Sequence, residues 1–81
     1  MKRRLTERFR RSYSAAPPLV QEAFDKQSRL LLENFRYPSL QVKKYDEAKG
    51  LWQARVTRSW RFYFKIEGDT YIIEDIIPHP K

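Results

Sequence analysis

From Trp60 to Glu67 the chain reads WRFYFKIE, in which Trp60, Phe62, Phe64 and Ile66 alternate with Arg61, Tyr63, Lys65 and Glu67. Successive side chains of a strand point to opposite faces, so this period of two gives one apolar face and one cationic face. Such a strand belongs to a sheet with one side on a core and the other turned to water or a polar partner. Gly68-Asp69 follows as a two-residue turn, with glycine at the position where a II′ hairpin requires positive φ. Thr70 to Ile77 then runs back as the last strand. Tyr71, Ile73 and Ile77 on one side oppose Ile72 and Ile76 on the other, and a strand apolar on both faces lies inside a sheet rather than at its edge.

Two more strands are expected before this hairpin. Leu40 to Tyr45 is the first, Asp46 to Gly50 is a connection, and Leu51 to Thr57 is the second, with Arg58-Ser59 as the tight link to Trp60. Along Leu51 to Thr57, Trp52, Ala54 and Val56 share one face, while Gln53, Arg55 and Thr57 share the other. The N-terminal half has a different period. Thr6 can cap a short helix carrying Phe9 and Tyr13 at i, i+4. Ala15-Ala16-Pro17-Pro18 interrupts it, and Pro18 suits the first turn of a second helix. Leu19, Val20, Ala23, Phe24, Gln27, Leu30, Leu31 and Phe35 follow helical spacing, with Glu22, Asp25, Lys26, Arg29 and Glu33 on the opposite side, until Tyr37-Pro38-Ser39 ends the segment. With Lys2 to Leu5 as a short first strand, the order is β-α-α-β-β-β-β. This is an α+β fold in which two N-terminal helices pack on one face of a small twisted antiparallel sheet, a single domain over residues 1–81.

Composition removes many chemistries. The chain has no cysteine, so disulfides and thiolate zinc sites are excluded, and one histidine with scattered carboxylates leaves no basis for a metal centre. The two glycines serve turns and cannot build a phosphate-cradling loop. No cofactor is expected. The basic start, Met1 to Leu5, leads into Thr6-Glu7-Arg8 rather than an apolar run, so no signal peptide is expected. Leu30 to Leu32 is far too short to cross a bilayer, and the expected location is a reducing cytoplasm. Lys and Arg number 17 against 10 acidic residues, a net charge of +7, which suits nucleic acid, a ribosome or an acidic protein as partner.

The residues that could carry chemistry lie on the polar face of the strands: Gln53, Arg55, Arg61, Tyr63 and Lys65, joined by Lys43 and Lys44, Arg58 in the link, and His79 near the end. Arginine offers a planar fork of donors to phosphate oxygens, so this face suits a phosphodiester backbone. Any one of these cations alone would fit a solvated strand face, and it is their clustering that points to a ligand. Trp52 and Trp60 share the face of Phe62 and Phe64 and are expected in the core rather than stacked on bases.

The ordered set YPSLQVKKY, GLWQARVTRSWRFYFKI and GDTYIIEDIIPH resembles the RelE/ParE superfamily of bacterial toxins from type II toxin–antitoxin pairs. The resemblance covers nearly the whole chain. It implies a small basic endoribonuclease that enters the ribosomal decoding site, cuts mRNA and is held inactive by a cognate antitoxin. By position it implies that Arg61 is the phosphate-contacting arginine, that Arg55 is a basic strand residue beside it, and that His79 is a terminal proton carrier. It also makes Lys43 and Lys44 a basic strand facing rRNA, and Gln53, Arg58, Tyr63 and Lys65 further RNA or ribosome contacts. No clear general base stands out: Glu47 lies in the loop, Glu74 and Asp75 lie on the last strand where they balance arginines, and Tyr63, with a free pKa of about 10, would need strong activation. Two alternatives stay open within the same fold: a ParE-like inhibitor that binds DNA gyrase without cleavage, and a member that keeps only antitoxin binding.

Overall fold

The computed structural model of the chain describes residues 1–79, so Pro80 and Lys81 lie outside the described residues. Strand β1 (Lys2–Leu5) leads into helices α1 (Glu7–Ala15) and α2 (Pro18–Glu33), a 3₁₀ turn over Pro38–Leu40, and strands β2 (Lys43–Asp46), β3 (Leu51–Thr57), β4 (Trp60–Glu67) and β5 (Thr70–Pro78). The sheet runs β1-β5-β4-β3-β2. The expected α+β order is thus the observed one, and β5 lies inside the sheet. Strands β2 to β5 are antiparallel, whereas β1 joins β5 in parallel, which makes the sheet mixed.

Local chemistry sets the element ends. The Thr6 hydroxyl accepts the Phe9 amide at 3.0 Å and caps α1. Pro17 precedes α2 and Pro18 opens it, where the missing amide costs nothing. Helix α2 stops at Glu33, earlier than the apolar spacing through Phe35 suggests. Asn34 adopts extended geometry there, and its Oδ1 accepts the Arg36 amide at 3.0 Å, a local bond that competes with helix continuation. Leu19, placed on the core face by its spacing, is 78% exposed in the first turn of α2. The segment from Leu40 divides into the 3₁₀ turn and β2 because Gln41 takes left-handed geometry, φ 46°.

Both helices cover one face of the sheet. Phe9 and Phe24 meet with ring centroids 4.8 Å apart, and Phe24 sets its edge against Phe62 of β4 at 5.1 Å. Leu31, Leu40, Ala54, Phe64, Ile73 and Ile76 complete a core in which each is almost wholly buried. Burying one such large apolar side chain contributes about 1.5–3 kcal/mol, so this layer supplies most of the drive to fold. Trp52 and Trp60 pack half-buried against it, as their parity suggests.

Three β-bulges interrupt the ladder. The register shifts between Lys44 and Asp46 in β2, between Arg55 and Thr57 in β3, and opposite Tyr63 and Phe64 in β5, where Tyr63 pairs with Asp75 but Phe64 pairs with Ile73. The extra residues are therefore Tyr45, Val56 and Glu74. The third bulge reverses the alternation of β5: Ile76, not Ile77, joins Tyr71 and Ile73 in the core, while Ile77 turns to the open face.

Candidate nucleic-acid interface

The sheet face opposite the helices carries the polar side chains of β3 and β4. Arg55 and Arg61 are direct cross-strand partners, as are Gln53 and Tyr63 one pair further on. Lys43 pairs with Gln53 and extends the face onto β2. Lys65 lies two residues beyond Tyr63, and its Nζ is 3.4 Å from Glu74. The structure thus brings Arg55, Arg61, Gln53, Tyr63, Lys65 and Lys43 together. Lys44 is on the other face, with its Nζ 5.5 Å from the Trp52 ring centroid and 3.9 Å from Glu47. Arg58 is exposed in the β3–β4 turn.

Arg61 is braced by the turn it follows. Its Nη1 donates to the carbonyls of Thr57 at 2.6 Å, Trp60 at 2.9 Å and Arg58 at 3.4 Å. All three bonds use one terminal nitrogen, and the rest of the guanidinium has no protein acceptor among the described residues. Burial, and then the neighbouring charge of Arg55, lower its pKa from the usual arginine value. Two like charges facing one another across a strand pair disfavour the empty state and favour an anion between them. His79 is exposed, but its amide donates to the Ser59 carbonyl at 2.6 Å, which ties the end of β5 to the same turn.

Toward the other end of the open face the character changes. The Tyr63 hydroxyl donates to Gln53 Oε1 at 3.4 Å, and its ring meets Tyr45 at 4.8 Å with planes 62° apart. Burial, then Tyr45, raise the Tyr63 pKa above the ordinary phenol value, although Arg61 opposes the shift, so the neutral phenol is favoured. Asp75 faces Tyr63 and holds Arg8, from the first turn of α1, at 3.3 Å. Glu47 sits instead in the β2–β3 loop beside Lys44, away from the arginine pair.

Beneath the face, Gln27 of α2 is only 6% exposed. Its Nε2 donates to the carbonyls of both Ser39 and Arg55, each at 2.9 Å. It ties α2 to the 3₁₀ turn and to β3 at the bulge that follows Arg55. Helical spacing puts Gln27 on the core face, where a lone amide is the signal of such a tie. Arg8 and Tyr45 carry no comparable signal, since one reaches the face from a helix and the other through a bulge.

No group of three or more histidine or carboxylate side chains close enough to hold a metal ion occurs among the described residues, and none of their helices is long and apolar enough to cross a membrane.

No protein-family model and no curated protein matches the sequence. Solved structures do match. A YoeB/ParE toxin from Agrobacterium tumefaciens superposes with a TM-score of 0.80 at 16% identity, covering 99% of this chain and all of that one. The DinJ-YafQ complex of E. coli contains a chain matching with a TM-score of 0.79 at 15% identity, over 96% of this chain and 92% of that one. The toxin–antitoxin complex RelBE2 of Mycobacterium tuberculosis gives 0.75 at 22% identity, over 98% and 96%. At these identities the likeness is one of architecture, and it extends over nearly the full length of each partner: this chain has the fold of the RelE/ParE toxins.

Proposed function

We propose that the protein is the toxin of a toxin–antitoxin pair and that it cuts mRNA on the ribosome. The observation that carries this reading is the outward-facing pair Arg55 and Arg61, one braced by the turn carbonyls, with Lys43 and Lys65 on the same face. The fold supports the toxin role, and the matching RelBE2 structure is a toxin–antitoxin complex.

The reaction that suits this face is attack by a ribose 2′-hydroxyl oxygen on the adjacent phosphorus, its proton passing to solvent water. The bond to the 5′-oxygen breaks, leaving a 2′,3′-cyclic phosphate and a 5′-hydroxyl. Charge that builds on the phosphate oxygens is met by Arg61 and Arg55. Donors fixed in advance are the most effective kind, and removing one costs about 10²–10³ in rate. His79, anchored beside the same turn, donates a proton to the departing 5′-oxygen. Lys43 and Lys65 hold the chain above Gln53 and Tyr63, which are 5% and 6% exposed and support the face from beneath, with Arg58 and Lys44 on flanks that meet ribosomal RNA. The antitoxin is an acidic or amphipathic segment that covers this basic face and orders on binding.

Mapping mRNA 5′ ends by primer extension in a reconstituted translation reaction tests the reading. Ribosome-dependent cuts that vanish in Arg61→Ala and weaken in His79→Ala are expected, and intact message with wild-type protein refutes it.

One observation favours a second reading, gyrase inhibition by binding. Glu74 and Asp75, the carboxylates beside Tyr63 and Lys65, are each paired with a cation, Lys65 and Arg8, which leaves proton abstraction without an obvious base. Inhibition of DNA supercoiling with no effect on mRNA would establish that reading. If neither target responds while the antitoxin still binds, the chain keeps only antitoxin binding.

A further inference from the structure

A cavity of about 270 Å³ opens on the same sheet face, lined by Tyr63, the next residue after Arg61 on that face of β4. Two of the three bulges shape it: one turns the ring of Tyr45 toward Tyr63, and the other brings both Glu74 and Asp75 onto this face. Bulges beside a functional site re-aim side chains in this way. Leu51 and Ile77 form an apolar surface within it, the Tyr63 ring, only 6% exposed, lies at its floor, and Tyr45, 58% exposed, stands at its margin. Lys49 and Arg8 add positive charge at the rim.

We propose that this cavity holds one unpaired RNA base, the neighbour of the phosphate between Arg55 and Arg61, and that Asp75 selects it. The proposal rests on the RNA-binding reading above. Tyr63 and Arg61 are two residues apart on one strand face, roughly 7 Å, so a chain bound at the arginines passes the cavity mouth. An exposed aromatic beside cations, here Tyr45, stacks bases without regard to sequence. The carboxylate adds discrimination. Asp75 is 17% exposed at its side chain, and its oxygens only accept: Oδ1 takes the Ile76 amide at 2.9 Å and Oδ2 faces Arg8 at 3.3 Å. Each oxygen has a further lone pair for a base edge. Guanine offers two adjacent donors, its ring N–H and its amino group. Adenine and cytosine offer an amino group beside a ring acceptor that a carboxylate repels. Uracil offers one N–H between two carbonyls. The order expected is therefore guanine first and uracil last.

Binding of 2′-O-methyl pentamers, which cannot be cleaved, tests this at low salt by fluorescence anisotropy with UUGUU, UUAUU, UUCUU and UUUUU. Wild type should bind UUGUU about tenfold more tightly than UUUUU, since one good bidentate base contact is worth that much or more. Asp75→Asn keeps the size and an acceptor for the Ile76 amide but replaces one oxygen by a donor, and should bring UUGUU down to the UUUUU level. Tyr45→Ala, at an exposed position, should weaken UUGUU by about tenfold through lost stacking. Equal affinity for all four pentamers, or a guanine preference that survives Asp75→Asn, overturns the proposal. If wild type cuts mRNA on the ribosome but binds no pentamer, the cavity assignment fails and the nuclease reading stands. If it neither cuts nor binds, both fail.

Discussion

Replacing Gln27 by methionine tests how the helical layer holds the functional face. Methionine keeps the length and most of the volume of glutamine but deletes both donors on Nε2, to the Ser39 and Arg55 carbonyls at 2.9 Å. A buried acceptor that loses its partner costs about 1–3 kcal/mol. Ser39 is exposed and its carbonyl can turn to water, so the loss there is at the low end, whereas Arg55 is half-buried in β3. The sum is about 2–3 kcal/mol. For a domain of this size each kcal/mol shifts the melting point by about 4–8 °C, so Gln27→Met should melt roughly 10–20 °C below wild type. Circular dichroism melts measure this, with Glu22→Gln on the exposed side of α2 as a control that should barely move. A fall of under about 3 °C for Gln27→Met would show that water replaces the amide freely and that the tie carries no stability. If the tie also aims Arg55, the folded variant should bind RNA with a salt dependence lower in slope by about 0.7, the loss of one phosphate contact on a single strand.

Three other outcomes follow from the same geometry. Gln41 sits at φ 46° without being glycine, so Gln41→Gly should stabilise the protein by about 1 kcal/mol, read from the denaturant midpoint. Tyr13, Tyr63 and Tyr71 all have pKa values raised above the ordinary phenol, chiefly by burial. Above pH ~10 the unfolded chain loses these protons while the folded one retains them, so stability is intact below that pH and falls as pH rises through the folded values; denaturant midpoints should show a decline that is shallower in Tyr71→Phe. Arg55→Thr removes a like charge facing Arg61 and should raise stability by about 0.2–1 kcal/mol while weakening RNA binding, measured by melting and anisotropy on the same preparation; weakened melting would mean that the pair is not repulsive in the free protein.

Much of the fold was legible because local chemistry and long-range packing agree. The side-chain parity of β4 puts Phe62 and Phe64 under the helices, although Tyr63 between them is buried too on the other face, and the Thr6 cap and the Pro17-Pro18 break lie where their chemistry puts them. The parallel pairing of β1 was not legible. Four residues carry no sign of their direction, and β1 is fixed by backbone bonds at its two ends, Lys2 to the Asp69 carbonyl and Thr6 to the Ile73 carbonyl. The end of α2 was missed because Phe35 continues the apolar spacing, and Phe35 does pack on Trp52 at 6.1 Å, but from outside the helix.

The candidate face divides along the same line. Gln53, Arg55, Arg61, Tyr63 and Lys65 share a face because β3 and β4 stay in register between Trp52 and Arg55, so parity alone brings them together. Parity fails wherever a bulge intervenes, and the cavity depends on bulges. Had β5 kept a strict period of two past Ile73, Asp75 would lie on the face of Ile73 and Phe64, a carboxylate in an aromatic core, and Ile76 would stand on the open face. Burying an unpaired carboxylate costs far more than one residue of lost pairing. The extra residue at Glu74 is thus enforced by the order Ile73-Glu74-Asp75-Ile76 itself: the core takes both isoleucines only if two consecutive acids are put out on the cationic side, where Lys65 and Arg8 meet them. Energetics of the core and placement of acceptors beside the arginines are in this way one constraint: Asp75→Ala lifts the carboxylate's share of it and leaves the burial of Ile76 alone to hold the bulge.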